Sequence, residues 1–509
     1  MDGGGVREGE GLGHASATGV RWATIARLVI EITAFGSAVL LARLIPPADF
    51  GRYALVIIIQ ELALTVTGEG IGSALVQRKD VTSEHLQGGA LLCLLAAGLL
   101  TALTFVAAPL VVAPVFGHQT ATLVLIASPW FLIAALTAVP SAVLRRRLAF
   151  KRLSIIDLIT TIIRLAVTLG LAIAGLNAAA LVFGGLIAAA IGTAALLFSV
   201  PLAYPRWRRQ AIRDIMGFGL PAALAGICWT GFRNGDYAVI GARAGNASAG
   251  IYWRAYQLAV DYPRKITTIM VQVGFPVLSR TGGVEEMFAV RRRMTRMLAV
   301  IVMPLLAGLA LFAPIAVPWL FGPAWTAAVV PTQILAVGGA ASMLIDAIGP
   351  VLMAAGRPRA LLGYGIGHFS VYVGAVFFAV PFGLTVVSIV AVAIHTVFLF
   401  VAYGWLLRGY VEHPLRSLWD DASPALVSCV PFVAVAAPIG FGLHGLGAGA
   451  AIELFSAGIV GSAAYALTLR AAFNDVWSDL VKLLGKVLPQ APQRRIAKQI
   501  AILSARFST

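Results

Sequence analysis

The stretch Trp22–Leu44, which reads WATIARLVIEITAFGSAVLLARL, is apolar over enough residues to cross a lipid bilayer. A helical span takes about 20 apolar residues, and a single charge near its centre costs about 2.5–3.5 kcal/mol or more. Arg27 and Glu31 nevertheless lie one helical turn apart inside this stretch. Such a pair should face a protein partner or a hydrated cavity rather than lipid, so the stretch predicts both a membrane span and a polar interior.

Beyond this span the chain turns at Pro46-Pro47 and re-enters the membrane, and a similar turn follows much later at Gly241–Tyr252. A second repeated pattern supports a relation between the two halves of the chain. Ala108-Pro109 is followed by Phe116-Gly117, and Ala313-Pro314 is followed by Phe321-Gly322 at the same spacing. The repetition predicts two related six-helix bundles that face each other across a polar, cationic passage. A pseudo-twofold axis along the membrane normal should relate the two bundles.

The composition of the 509-residue chain indicates an integral membrane protein, since 59% of residues are hydrophobic and only 12% are charged. A soluble domain carries about 25% charged residues. The net charge of +16 lies largely in short connectors, and no basic face with interleaved aromatic residues indicates nucleic-acid binding. The three cysteines stand alone in apolar runs, so we expect no disulfide framework, no metal site and no cofactor.

Apolar runs separated by turns or charges predict about fourteen transmembrane helices in an all-α fold. The predicted spans are 21–44, 50–76, 87–113, 120–144, 154–175, 178–200, 214–241, 249–278, 294–321, 325–355, 360–381, 384–407, 421–442 and 449–470. Lys and Arg are concentrated in alternate connectors, such as Arg145-Arg146-Arg147 and Arg291-Arg292-Arg293. The positive-inside rule therefore predicts that both termini are cytoplasmic.

These spans predict a domain order in which two extra helices and a tail follow the two bundles. The predicted segments are a disordered cytoplasmic N-terminus (1–20), an N-terminal six-helix lobe (21–200), a basic cytoplasmic linker (201–213), a C-terminal six-helix lobe (214–407), helices 13 and 14 (408–470) and a basic amphipathic cytoplasmic tail (471–509). The tail is expected either to lie on anionic lipid or to remain a solvated end.

Charged and aromatic residues at membrane depth are the candidates for ligand binding. Aromatic faces can cover the apolar faces of sugars, and guanidinium groups bind phosphate oxygens with two parallel hydrogen bonds. The alternative is a belt of aromatic residues at the membrane interface with arginines that reach the headgroups. The candidate substrate-binding residues are Arg27, Glu31, Arg233, Arg254, Arg264, Tyr252 and Tyr256.

Acidic residues in the spans are candidates for coupling to a cation, and we expect this role for Asp157 and Glu61. Asp157 and Arg164 are seven residues apart and share one helical face. Four other polar residues each stand alone in an apolar helix, so we expect ordinary packing contacts for them rather than chemistry. They are Asp346, His368, His395 and Glu453.

Signals of catalysis are missing from the chain. It has no phosphate-binding loop of the Walker type, no HExxH and no GxSxG motif. The predicted outer loops are short, with Asp49 and Asp236 the only nearby carboxylates for a glycosyltransferase or ligase. The pattern favours transport over catalysis, so the protein is not expected to be an enzyme.

Several of these stretches together resemble the polysaccharide transporter family, the Wzx-like flippases of the multidrug/oligosaccharidyl-lipid/polysaccharide exporter superfamily. The matching pieces are Ala42-Arg43-Leu44, Asp49-Phe50-Gly51-Arg52-Tyr53, Gly72-Ser73-Ala74-Leu75-Val76-Gln77-Arg78, Arg147-Leu148-Ala149-Phe150-Lys151, Asp236-Tyr237-Ala238-Val239-Ile240-Gly241, Gly250-Ile251-Tyr252 and Phe275-Pro276-Val277-Leu278-Ser279-Arg280. The resemblance covers about residues 20–470.

The resemblance implies a flippase that moves undecaprenyl-diphosphate-linked oligosaccharides for lipopolysaccharide or exopolysaccharide synthesis across the bacterial inner membrane by alternating access. Peptidoglycan-precursor flippases of this superfamily place cavity arginines on helices 1 and 8. Arg27 fits this pattern on helix 1, and either Arg254 or Arg264 fits it on helix 8. Expected partners are the lipid-linked oligosaccharide, membrane lipids, a polysaccharide polymerase and a chain-length regulator. The alternatives are a cation-coupled drug or metabolite antiporter and a membrane glycosyltransferase or ligase.

Overall fold

The protein is helical almost throughout residues 29–268, 283–355 and 357–487, the part that the computed structural model describes. Within these residues the β pairing is limited to an isolated bridge between Arg408 and Val411. The predicted all-α class is therefore confirmed. Arg27 lies outside the described residues, and so does the predicted tail from residue 488 onward.

Among the described residues, the helices follow one another with mostly short connections. In the first half they are α1 (29–44), α2 (Pro47–Gln77), α3 (Ser83–Phe116), α4 (His118–Arg146), α5 (Phe150–Ile173), α6 (Ala178–Ser199), α7 (209–244) and α8 (246–268). In the second half they are α9 (Val284–Phe321), α10 (Pro323–Met353), α11 (Arg359–Phe382), α12 (Leu384–Leu406), α13 (Pro414–Gly445), α14 (Ala450–Ala472) and α15 (Asn474–Val487). Only Gly245, with φ of 83°, separates α7 from α8, and glycine adopts this backbone conformation without the steric cost that other residues meet.

Twelve helices of the described residues are long and apolar enough to cross a membrane. They correspond to the predicted spans other than the first and the eighth, whose sequences continue into residues that the structure does not describe. A multi-pass membrane protein is therefore confirmed, and the total of about fourteen spans stays a prediction.

Helix α2 changes its winding over Thr65–Gly72, where the backbone forms π-helical turns. Small residues also let α2 and α7 approach closely, because a Cβ added to Gly226 would overlap the Cγ2 of Thr65. The hydroxyl groups of Thr65 and Thr230 are 3.2 Å apart and hydrogen-bond across the same contact. Such packing of small residues and hydroxyl groups is typical of helix pairs within membranes.

The chain divides into two compact units. The first comprises the residues up to Arg254 together with Leu320–Thr326 and Val373–Leu384, and the second comprises Ala255–Trp319, Ala327–Tyr372 and the residues from Thr385 onward. Helix α7 belongs to the first unit by its contacts. The lobe and linker boundaries that the repeat suggests stay predictions.

A buried ion pair joins three helices of the second unit. Arg291 of α9 donates a 2.8 Å hydrogen bond to Asp421 of α13, and their side chains are only 2% and 0% exposed. Arg291 also donates to the hydroxyl of Ser417, and the hydroxyl of Tyr403 from α12 donates to Asp421. These hydrogen bonds compensate charges that would otherwise be left unsolvated.

Helix α15 is strongly amphipathic and is attached to the start of α9 by two ion pairs. Arg293 contacts Asp479 at 2.5 Å, and Arg296 contacts Asp475 at 3.7 Å. The first part of the predicted amphipathic tail is therefore a helix. Its placement on a lipid surface stays a prediction.

Replacement of Asp421 by alanine should destabilise the protein by about 3–5 kcal/mol, because it leaves the Arg291 guanidinium buried without its carboxylate. The measurement is thermal unfolding of the purified protein in detergent. Asp420→Ala is the matched control, since Asp420 pairs with Arg292 at a partly exposed position and its loss should cost at most about 1 kcal/mol. Equal shifts in melting temperature for the two variants would contradict the assignment.

Candidate functional site

Charged side chains on the membrane-spanning helices mark the places where a polar ligand could bind, because an uncompensated charge is costly there. The structure places these side chains in several clusters, each within one of the two units.

In the first unit, Arg254 lies among four aromatic rings, a cluster that we call the Arg254 cage. The Arg254 side chain belongs to α8 and is 1% exposed. Its guanidinium carbon lies 4.6–5.3 Å from the ring centroids of Phe50, Trp253, Phe321 and Trp325. The negative faces of the rings provide favourable electrostatic contacts for a buried cation.

Two connections between consecutive helices bring the cage together. One connection joins α1 to α2, and the other joins α7 to α8. They pack backbone against backbone, because a Cβ on Gly51 would overlap the carbonyl of Asn246 and a Cβ on Gly250 would overlap that of Pro47. The indole of Trp325 donates a 2.7 Å hydrogen bond to the Ala42 carbonyl at the end of α1. The cage is therefore tightly packed.

Hydrogen bonds from two arginines and one asparagine connect further segments of the chain near the cage. Arg43 donates to the carbonyl of Leu320 at 2.9 Å. Arg243 donates to the carbonyl of Phe377 at 2.7 Å and lies over its ring. Asn246 donates to the carbonyl of Phe116. Tyr252, one of the predicted binding residues, is buried and packs edge-on against Tyr237.

A second polar cluster of the first unit lies where α2 meets α7. Asn234 donates a 2.8 Å hydrogen bond to Glu61, and the guanidinium of Arg233 lies 4.0 Å from the same carboxylate. The Arg233 side chain is 39% exposed, so its cation remains partly available to solvent. Glu31 is half-buried on α1.

Asp157 and Arg164 line one cavity of about 250 Å³ among α2, α4, α5 and α6. Threonine hydroxyl groups from three helices share its wall, and those of Thr160 and Thr161 donate to the Asp157 carbonyl. The structure thus brings together the two residues that the sequence places on one helical face. The cation-coupling role predicted for Asp157 and Glu61 stays a prediction.

In the second unit, Arg264 of α8 is held by two carboxylates. Its Nε donates a 3.0 Å hydrogen bond to Asp346 of α10, and its Nη1 lies 3.3 Å from Asp261 on the preceding turn. It also donates to the hydroxyl oxygen of Tyr256, another predicted binding residue. The Arg264 side chain keeps 23% exposure. A guanidinium in this setting can exchange a carboxylate for another anion.

Asp346, His368 and His395 each stand alone in their own helix, and the structure gives each of them a partner on another helix. Asp346 pairs with Arg264, and the rings of His368 and His395 lie 5.1 Å apart. Each residue is alone on its own helix, so the pattern along one helix could not show a partner on another.

A cavity of about 720 Å³ in the second unit lies beside the first turns of α9 and α13 and helix α15. Five arginines line it. Three of them belong to the predicted basic connector, and four form ion pairs with carboxylates. The pairs are Arg291 with Asp421, Arg292 with Asp420, Arg293 with Asp479 and Arg296 with Asp475. Among the described residues, no group of three or more histidine, cysteine or acidic side chains is placed to hold a metal ion.

Comparison with known proteins places the chain among proteins of polysaccharide synthesis. The model of a family described as polysaccharide biosynthesis protein matches residues 40–330. The chain is 26% identical over 454 residues to the teichuronic acid biosynthesis protein TuaB of Bacillus subtilis (strain 168), an alignment that covers 86% of this chain and 90% of TuaB. It is 24% identical over 427 residues to the lipopolysaccharide biosynthesis protein WzxC of Escherichia coli (strain K12), covering 80% of this chain and 85% of WzxC. The predicted Wzx-like resemblance is confirmed.

The fold is similar to that of the lipid II flippase MurJ in its inward closed conformation. The TM-score is 0.71 with 12% sequence identity, and the match covers 89% of this chain and 99% of MurJ. At this identity the likeness concerns the fold alone.

Replacement of Gly250 by alanine should prevent the two turns of the first unit from packing, because the added methyl group overlaps the backbone of Pro47. We expect a loss of at least about 2 kcal/mol, since a strained backbone contact cannot relax as a side chain does. The measurement is the melting temperature in detergent. Gly231→Ala is the matched control, because a Cβ there meets no atom within 4 Å in the structure. A melting temperature unchanged by Gly250→Ala would contradict the close packing.

Proposed function

Because this chain belongs to the polysaccharide biosynthesis protein family, we propose that it is a flippase for lipid-linked oligosaccharides. The substrate is an undecaprenyl-diphosphate-linked repeat unit of a lipopolysaccharide or exopolysaccharide. The protein moves it across the bacterial inner membrane by alternating access, with both chain termini in the cytoplasm. A polysaccharide polymerase and a chain-length regulator then act on the unit that is delivered.

The observation that carries this proposal is the half-buried arginine site on α8. Arg264 keeps part of its guanidinium accessible while Asp346 and Asp261 stabilise it in the absence of ligand. A diphosphate offers more acceptor oxygens than a carboxylate and matches the planar fork of the guanidinium group. The carboxylates therefore bind the guanidinium in the absence of ligand, and a diphosphate can displace them.

The first unit contains a separate cation that can bind an anionic group. Arg233 is held near Glu61 at 4.0 Å, a distance longer than a direct hydrogen bond. Within the part of the chain that the structure describes, its buried Nε has no hydrogen-bond partner. An anionic oxygen would satisfy this donor. Arg27 and Glu31 are proposed to contribute to diphosphate binding on the strength of the sequence.

Binding of the lipid head need not involve the polyisoprenoid tail, which is as apolar as the bilayer and can remain there. The transport step then requires only that the charged head and its sugars pass through a polar environment. Tyr256, which is 5% exposed and lies beside Arg264, supports the guanidinium next to the position proposed for the diphosphate. This division of the ligand explains why arginines and tyrosines, rather than catalytic acids, carry the function.

Replacement of Arg264 by glutamine should lower the rate of flipping by about ten- to a hundredfold, the effect of losing one charge-assisted hydrogen-bonding group worth about 1.5–3 kcal/mol. The measurement is the transfer of a fluorescent undecaprenyl-diphosphate oligosaccharide across proteoliposome membranes. Arg292→Gln is the control, because it removes the same charge at a partly exposed position of α9. Arg27→Ala should likewise abolish surface glycan in cells without changing the protein level.

Unchanged flipping by Arg264→Gln would remove Arg264 from the site. Efflux of cationic dyes by the same vesicles, without movement of the lipid-linked oligosaccharide, would instead favour the antiporter alternative.

A further inference from the structure

Asn234 is a buried amide in the polar cluster where α2 meets α7, and it is 6% exposed. Its Nδ2 donates a 2.8 Å hydrogen bond to Oε2 of Glu61 and a 3.0 Å hydrogen bond to the carbonyl oxygen of Thr230. Both partners can only accept, so the nitrogen of the amide rather than its oxygen must face them, and both of its hydrogens are used. The amide is therefore held in one orientation.

The carboxylate of Glu61 lies between two neighbouring side chains of α7. Its Oε2 accepts the hydrogen bond from Asn234, while its Oε1 lies 4.0 Å from Nη2 of Arg233. The first distance is that of a direct hydrogen bond, and the second is too long for one. Glu61 therefore balances the charge of Arg233 through space without accepting a hydrogen bond from it.

The packing of α2 against α7 keeps Asn234 opposite Glu61. One helical turn away, the hydroxyl groups of Thr65 and Thr230 hydrogen-bond across the same contact at 3.2 Å. One further turn along α7, Gly226 lets the helices approach closely, because a Cβ there would overlap the Cγ2 of Thr65. The amide and the carboxylate are therefore held at a defined separation by the helices themselves.

Without the amide, the carboxylate of Glu61 could form a direct pair with Arg233. Guanidinium and carboxylate groups favour two parallel hydrogen bonds of about 2.7–2.9 Å, so Oε1 would need to move by only about 1 Å. A small rotation of the flexible Glu61 side chain covers this distance. The direct pair would occupy N–H groups that an anionic ligand needs, and the ligand would have to break it in order to bind.

We propose that Asn234 is a positioning residue, which holds Glu61 away from direct contact with Arg233 and so keeps the guanidinium available to an anionic group of the substrate. The inference rests on the proposed function, and it adds the residue that controls access to one of its arginines. Asn234 acts through Glu61 and not by contact with the ligand. A neutral amide suits this role, because it binds the carboxylate without cancelling the negative charge that stabilises Arg233 while no ligand is bound.

The role can be measured as an affinity, with the purified full-length protein in nanodiscs and undecaprenyl diphosphate that carries one N-acetylglucosamine as the probe. Asn234→Ala should bind this probe about fivefold more weakly in calorimetry, because a partly exposed ion pair between Glu61 and Arg233 then competes with the probe. Asn234→Ser also lacks the amide, and it replaces Asn234→Ala if that variant fails to fold by thermal unfolding. Arg233→Gln shows how much affinity depends on the guanidinium itself.

The decisive measurement repeats Asn234→Ala together with Glu61→Gln. A glutamine carries no charge and cannot form the competing ion pair, so Asn234→Ala should no longer lower the affinity in this background. A loss of helix packing would persist in the double variant, so the rescue separates positioning from a structural role. Thr230→Val is the matched control, because it removes a buried hydrogen bond from the same helix contact and should leave the affinity unchanged.

The possible failures differ in what they leave standing. Full affinity of Asn234→Ala, together with weaker binding by Arg233→Gln, would refute the positioning role and leave the flippase proposal intact. An equal loss with and without Glu61→Gln, or a similar loss in Thr230→Val, would assign Asn234 to helix packing instead. Full affinity of Arg233→Gln would remove this arginine from the site and the inference with it. Absence of probe binding by the unchanged chain would count against the flippase proposal itself.

Discussion

A positive charge that is buried in the protein must be compensated there, and this constraint governs what surrounds the buried arginines of the helices. The structure meets it in three ways. Arg291 forms a fully buried pair with Asp421, Arg254 lies among aromatic rings, and Arg264 is held by carboxylates at a partly exposed position. A buried pair that loses one partner is strongly destabilised, so the first solution suits a structural anchor. The third suits a binding site, because an exposed pair can exchange partners at small cost.

Small residues set where these charges can sit. The turn between α1 and α2 and the turn between α7 and α8 touch through Gly51 and Gly250, and the rings around Arg254 converge beside this close approach. The positive φ of Gly245 places the start of α8 at the required angle. Glycine therefore determines the geometry of the first unit at a few positions, while the apolar residues determine only that the helices lie in the membrane.

The sequence predicted the helices well because a span must present about 20 apolar residues, a requirement that leaves a strong local signal. It also predicted the turn after α7, since Gly245 interrupts an otherwise helical pattern. Contacts between helices leave no comparable local signal in the sequence. The spacing of Asp261 and Arg264 made their ion pair accessible to sequence reasoning, whereas the pairing of Arg264 with Asp346 depends on how α8 and α10 rotate against each other. The contact of His368 with His395 arises in the same way.

The sequence left open which arginine of α8 serves the ligand, and the two environments favour Arg264. Arg254 is 1% exposed and is covered by aromatic rings, so an anion could reach it only after Phe321 and Trp325 had moved away. Arg264 is 23% exposed, and its partners are carboxylates that an anion can replace without any ring moving. The two arginines lie on one helix and differ only in what surrounds them. Burial and exchangeable partners, rather than charge alone, therefore favour Arg264 over Arg254 as the ligand-binding arginine that we propose for α8.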